Sequence, residues 1–365
     1  MKHLSARAPL GLRAYFTGTT QSTSSVRTSA PACSPSATRT GVAQRSSTMT
    51  RRSALALLGA SSATAIASLA ACSPRDSAAS SSSAQNQNSS APLVLTTFTV
   101  IQDMASRVAG EFCQVESITK AGAEIHDYEP TPDDLKRAQK AQLILNNGLG
   151  LERWFERFVD DSPAQRADLS EGITAIPIAE GDYQGQANPH AWMSPANGKI
   201  YVENIVRALS NLVPDHAKDF EANGEAYKKE LDNISSHLIE ELSALPESQR
   251  TLVTCEGAFS YLCRDTNMKE LYLWAVNAAD EGTPQQIAKV VEAVKAQQIP
   301  AVFCESTVSP KAMQQVADET GAVLKTDEKN ILYVDSLSEA DGPVPTYLDL
   351  LQHDADAIVS GLMGR

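Results

Sequence analysis

Past residue 72 the chain has no stretch approaching the roughly 18 consecutive apolar residues that a membrane-spanning helix requires. No glycine-rich phosphate loop and no nucleophile constellation is visible, so nothing supports phosphate cradling or covalent catalysis. Acidic residues are missing from positions 1–71, which hold eight Lys/Arg. Removing that segment leaves 23 basic residues against 44 acidic ones, and the net charge moves from −13 to −21 with histidine neutral. A body this short of positive charge argues against nucleic acid and anionic lipid as partners. Some of the acids are placed to concentrate cations, and most belong on solvated helix faces.

The N-terminal region does contain an export signal. Met49-Thr50-Arg51-Arg52 leads an uncharged run from Ala54 to Ala71 that ends in Leu69-Ala70-Ala71-Cys72. A basic start, an apolar middle and a small-residue end are the three parts of a secretory signal peptide. A cysteine directly after Leu-Ala-Ala also resembles the lipobox of bacterial lipoproteins, in which the thiol is acylated and becomes the mature N-terminus. That resemblance makes Cys72 the expected lipidation site. Residues 1–48 have the Ser/Thr/Arg composition of an organelle transit peptide, but a complete second signal from Met49 makes an upstream, disordered extension the simpler account. Thr50-Arg51-Arg52-Ser53 hints at twin-arginine export, weakened by Ala54 where a large apolar residue is usual. From Asp76 to Ala91 the chain is rich in Ser, Ala, Asn and Gln, too polar to offset its own ordering entropy, and reads as a flexible tether over 72–92.

The remaining body is long enough for two domains. LVLTTFTVI (93–101), QVESIT (114–119), QLILNN (142–147) and ITAIPI (173–178) read as strands, with helices starting near Asp133 and Leu151. A second alternating block has TLVTC (251–255), ELYLWAV (270–276), AVFCE (301–305) and ILYVD (331–335). Such alternation predicts an α/β class: parallel sheets covered by helices. Between the blocks, Phe220, Tyr227, Leu231, Ile234, Leu238 and Leu242 form one helical stripe bounded by Pro214 and Pro246. This gives lobes over 93–213 and 247–365, joined by one long rigid helix over 214–246.

His126, His190, Glu256 and Asp335 all sit at or just beyond predicted strand ends, where open α/β sheets bind ligands. Two neutral imidazoles and two carboxylates make a nitrogen/oxygen set of charge −2, suited to Mn²⁺ or Fe²⁺ and able to take Zn²⁺. Individually each is weak evidence: a loop histidine is usually a surface or capping residue, and the acids also suit helix N-termini. Their spacing is no short-range ligand motif.

From about Leu93 onward, however, the chain resembles the receptors of bacterial manganese, iron and zinc ABC importers, many of them lipoproteins. The resemblance rests on HDYEPTPDD, NNGLGLERWFERFV, NPHAWMSPANGKIYVENI, CEGAF, WAVNAADEGTPQQI, FCESTVSPKAM and YVDSL. It implies that His126, His190, Glu256 and Asp335 are the four metal ligands. The family's manganese and iron members have Glu at the third position, where zinc members usually have His. Zinc members also tend to carry a His-rich loop before the second histidine, and AEGDYQGQANPH has none before His190. The implied cargo is therefore Mn²⁺, alternatively Fe²⁺, with a zinc receptor of the same family as the alternative. The implied partners are a membrane permease with a cytoplasmic ATPase, for a monomer held by its lipid on the extracytoplasmic face of the cell membrane.

Two readings from other classes are weaker. A metalloenzyme is suggested by the two-histidine, one-carboxylate facial triad, but a fourth ligand closes this site. A surface adhesin fits the location, but no sequence feature demands it. No catalytic residue is expected. Tyr128 and Glu129 are candidates to orient His126, Glu305 to tune the site's charge, and Cys255 to offer a thiolate to a softer metal. Cys113, Cys255, Cys263 and Cys304 are expected to be small buried apolar residues rather than disulfide partners. Trp192 and Trp274 are expected as packing anchors.

Overall fold

The computed structural model describes residues 91–159, 162–181, 183–276 and 282–364. The expected upstream extension, the expected export signal and lipidation site Cys72, and the expected tether up to residue 90 lie outside the described residues. The strand ladders among the described residues are parallel, and parallel sheets are covered on both faces. Their strands therefore read as short apolar runs.

In the first half, β1 (Leu93–Thr96), β2 (Gln114–Ser117), β3 (Leu143–Asn146) and β4 (Gln165–Asp168) form one sheet in the order β2-β1-β3-β4. Adjacent residues of β1 show the two-sided burial: Val94 packs into one apolar cluster and Leu95 into another. In the second half, β5 (Thr251–Glu256) pairs with β6 (Lys269–Trp274), and β7 (Ala301–Phe303) pairs with β8 (Val323–Lys325). The covering helices are α1 (Thr99–Ala109), α2 (Pro132–Lys140), α3 (Arg153–Val159), α4 (Pro195–Leu212), α5 (Ala217–Ser243), α6 (Ser260–Thr266), α7 (Pro284–Gln297), α8 (Lys311–Thr320) and α9 (Tyr347–Leu362).

Local chemistry starts several of these helices. Thr131 and Asp134 form a capping box on α2, with Pro132 in its first turn, and Thr283, Gln286 and Pro284 repeat the device on α7. On α4 the hydroxyl of Ser194 accepts from Asn197 N–H. α5 is the long helix. Its 27 residues span about 40 Å and bury Phe220, Gly224, Tyr227, Leu231, Leu238 and Leu242 on one stripe. Each large apolar side chain so buried contributes about 1.5–3 kcal/mol. Gly224 lets α4 approach closely, because a Cβ there would lie 2.5 Å from Val206 Cγ2. The largest apolar cluster takes residues from α5, from β1 and α1 of the first half, and from β5, β7 and α9 of the second. The halves thus share one core along this helix.

Several expectations are corrected. The first strand stops at Thr96, since α1 begins at Thr99. The fourth strand is Gln165–Asp168, a polar run on the sheet edge, whereas 173–178 contributes only a bridge from Pro177 to Ala187. ILYVD is not a strand but a bridge at Leu332 to Glu305. The long helix loses its first turn to a 3-10 segment, Pro214–His216. Cys255 and Cys304 form a disulfide, Cα to Cα 5.0 Å, while Cys113 and Cys263 are free and buried as expected. β5 packs beside β7, which brings Cys255 against Cys304, one residue past β7, a pairing that one-dimensional spacing does not reveal.

Candidate metal centre

The irregular segment between β2 and α2 carries His126, whose backbone N–H donates to Glu124 Oε1 at 2.6 Å. His190 stands just before a 3-10 turn, Ala191–Met193, that leads into α4. Glu256 is the last residue of β5, and Asp335 lies three residues beyond the bridge at Leu332. Glu256 thus stands at the carboxyl end of a parallel strand, and the other three ligand candidates lie on irregular segments farther along the chain.

The four side chains, one pair from each half, meet. One ligand atom from each lies within 4.8 Å of all the others. His126 Nε2 is 3.1 Å from His190 Nε2. Glu256 Oε1 is 3.2 Å from His126 Nε2 and 3.3 Å from His190 Nε2. Asp335 Oδ1 is 3.7 and 4.0 Å from the same two nitrogens. The side chains of His190, Glu256 and Asp335 are 0 % exposed and that of His126 is 6 % exposed, so the cluster's contact with open space runs past His126.

Electrostatics follow from this crowding. Burial disfavours the imidazolium of His126, yet the adjoining carboxylates of Glu256 and Asp335 outweigh it and raise its pKa well above the usual histidine value. Burial also opposes ionisation of Glu256, but His190 and His126 overcome it and hold its carboxyl below the usual range. Glu124, which sequence reasoning missed, is pushed up to about 7 by burial and then by Asp335. Its signal was only its position, two residues before His126.

The surroundings aim the ring nitrogens. Asn188 Oδ1 accepts from His190 N–H at 3.0 Å and lies 2.8 Å from His190 Nδ1. An amide oxygen only accepts, so Nδ1 carries a proton, and Nε2 is the nitrogen that faces the cluster. Trp192, fully buried as a packing anchor, donates from Nε1 to Val334 O at 3.0 Å, beside Asp335. Thr307 Oγ1 donates to Asp335 Oδ2 at 3.2 Å.

The outer candidates fare differently. Glu305 lies directly behind the cluster, where its carboxyl accepts the Glu256 backbone N–H at 3.3 and 3.4 Å. Burial, then the neighbouring Glu256, raises its pKa well above the usual value. Tyr128 turns instead to α2, where its hydroxyl donates to Asp134 Oδ2 at 3.1 Å, and its ring meets Trp154 edge-on. Glu129 is exposed to solvent. Cys255 is tied up in the disulfide and offers no thiolate while oxidised.

Two α/β halves on one long helix, with a buried cluster of two histidines and two carboxylates contributed by both, define a class: the two-lobed periplasmic metal-binding proteins. A Mn-bound periplasmic metal-binding protein from Candidatus Liberibacter asiaticus has this architecture, with a TM-score of 0.70 and 37% identity over 74% of this chain and 99% of that one. The family model described as zinc-uptake complex component A, periplasmic (ZnuA), matches residues 94–361, and the chain belongs to that family. The iron-binding protein YfeA of Yersinia pestis is 52% identical over 271 residues, 73% of this chain and 85% of that protein. The manganese-binding lipoprotein MntA of Halalkalibacterium halodurans is 35% identical over 270 residues, 74% and 88% of the two chains.

Proposed function

We propose that this chain is the extracytoplasmic receptor of a metal ABC importer, and that it captures Mn²⁺ or Fe²⁺ between its two halves. The observation that carries this reading is the convergence of four ligand atoms within 4.8 Å. His126 and His190 supply neutral nitrogen donors from the lobe over 93–213, and Glu256 and Asp335 supply charged oxygen donors from the lobe over 247–365. Two nitrogens each about 2.1 Å from one ion, at angles near 90–110°, lie about 3.0–3.4 Å apart, and the two Nε2 atoms are 3.1 Å apart.

The donor set is too hard for a thiolate-type site and suits first-row divalent ions. Zinc also binds such a set, and the zinc-uptake description of the family makes a zinc receptor the second reading. Ligation from both halves couples ion binding to their closed arrangement, and a permease that favours the separated arrangement takes the ion. The role is capture and delivery, not catalysis. Acylation at Cys72 and the tether over 72–92 would hold a monomeric receptor beside the permease and its ATPase at high local concentration.

The test is a thermal titration of chelator-stripped protein with Mn²⁺, Fe²⁺ and Zn²⁺. Binding to the native state alone raises Tm with ion concentration. A Tm indifferent to all three ions would sink the reading. Elemental analysis of protein from metal-limited native cells decides between manganese or iron and zinc.

A further inference from the structure

Asn188 touches both halves at once. Its Oδ1 receives His190 N–H, and its Nδ2 donates to Gly257 O at 2.7 Å, one residue after Glu256. The amide orientation is unambiguous, because a backbone N–H only donates and a backbone carbonyl only accepts. Nδ2 also reaches Ser260 Oγ at 3.2 Å. The main chain of the same residue is held from the far side: Tyr261 Oη, on α6, donates to Asn188 O at 2.8 Å and accepts from Ile176 N–H at 3.2 Å. Asn188 is 3% exposed and Tyr261 is 0% exposed, so the Asn188–Gly257 and Tyr261–Asn188 bonds are buried, while those to Ser260 and Ile176 are partly buried.

We propose that Asn188 and Tyr261 form the latch that couples the two halves at the metal centre, with Asn188 as a positioning residue for His190 and Glu256 together. This rests on the receptor reading above. Separation of the halves must break the Asn188–Gly257 and Tyr261–Asn188 bonds. The first of these bonds shares its amide with the contact that orients His190. Parting the halves removes the bond that fixes the Asn188 amide, so the amide and the imidazole it holds gain freedom to turn together. Opening the cleft and loosening a ligand become one event, so release is slow until a partner pulls the halves apart.

The two functions of Asn188 are separable by substitution. Asn188→Asp keeps an oxygen for His190 Nδ1–H but sets a carboxylate oxygen against Gly257 O. Asn188→Ala removes both contacts. Tyr261→Phe leaves the cluster's charge and ligands untouched and deletes only the hydroxyl bridge. The experiment mixes full-length, Mn²⁺-loaded protein with excess EDTA and follows release by stopped-flow tryptophan fluorescence, with association measured separately.

The expected result is faster release from Tyr261→Phe, by about five- to 100-fold for the two hydrogen bonds lost with one hydroxyl, with little change in association. Asn188→Asp releases faster still while holding one Mn²⁺ per chain, and Asn188→Ala also loses affinity through slower productive binding. A purely structural role would lower the metal-free Tm of the variants and leave their release rates alone. Wild-type release from both Tyr261→Phe and Asn188→Asp overturns the latch. A wild-type protein that takes up no Mn²⁺, Fe²⁺ or Zn²⁺ overturns the receptor reading itself, so the two failures are distinguishable.

Discussion

Nε2 of His126 lies 3.2 Å from Oε1 of Glu256, although the two residues come from different halves of the molecule. That contact, with Asp335 beside it, raises the His126 pKa against the opposing effect of burial. The metal-free centre therefore retains a proton that an incoming cation must displace. Because the raised pKa favours the protonated ring, acidification strengthens the competitor. Mn²⁺ affinity measured by chelator competition is expected to weaken from about pH 8 to about pH 6, with proton release on binding. Affinity flat across that range would contradict this account of the centre.

Glu152 makes a different pH dependence. It is buried, which pushes its carboxyl up to about 7 despite hydrogen bonds from Asn147 N–H, Thr97 Oγ1 and Gly148 N–H. Below about pH 4.5 both folded and unfolded chains hold this proton; between there and about 7 only the folded chain does. Stability is thus greatest on the acid side of that window and falls as pH rises through it, by up to about 3 kcal/mol from this group. Denaturant titrations across the window are expected to show that decline in the wild type and a flatter profile in Glu152→Gln. Parallel profiles would assign the decline elsewhere.

The Cys255–Cys304 disulfide joins positions 49 residues apart, and closing a loop of that size in the unfolded chain stabilises the fold by about 4 kcal/mol in the chain-entropy view. The Cys255→Ser, Cys304→Ser double variant is expected to unfold at a clearly lower urea midpoint with an altered m-value. An unchanged midpoint would show that the cross-link adds nothing to the native balance.

The α/β class was legible because buried parallel strands must be short apolar runs and the long helix must show a 3.6-residue stripe. The edge strand Gln165–Asp168 escaped notice because an exposed edge needs no apolar pattern, and the nearby ITAIPI run was a more persuasive decoy. His126, His190, Glu256 and Asp335 were invisible as a set in spacing alone. Resemblance named them together, and folding brings them within 4.8 Å. Asn188 and Glu124 were marked only by standing two residues before His190 and His126, and the reach of Asn188 to Gly257 O in the other half depends on the fold. The disulfide was missed for the same reason: pairing depends on which strands lie side by side.

Equilibrium dialysis of Mn²⁺ against chelator-stripped protein, comparing the wild type with Glu256→Ala and Asp335→Ala, tests the central claim most directly. The account predicts one Mn²⁺ per wild-type chain and at least about 100-fold weaker binding in each variant, a loss larger than removal of an outer contact causes. Both variants holding one Mn²⁺ with wild-type affinity would place the ion elsewhere and contradict it.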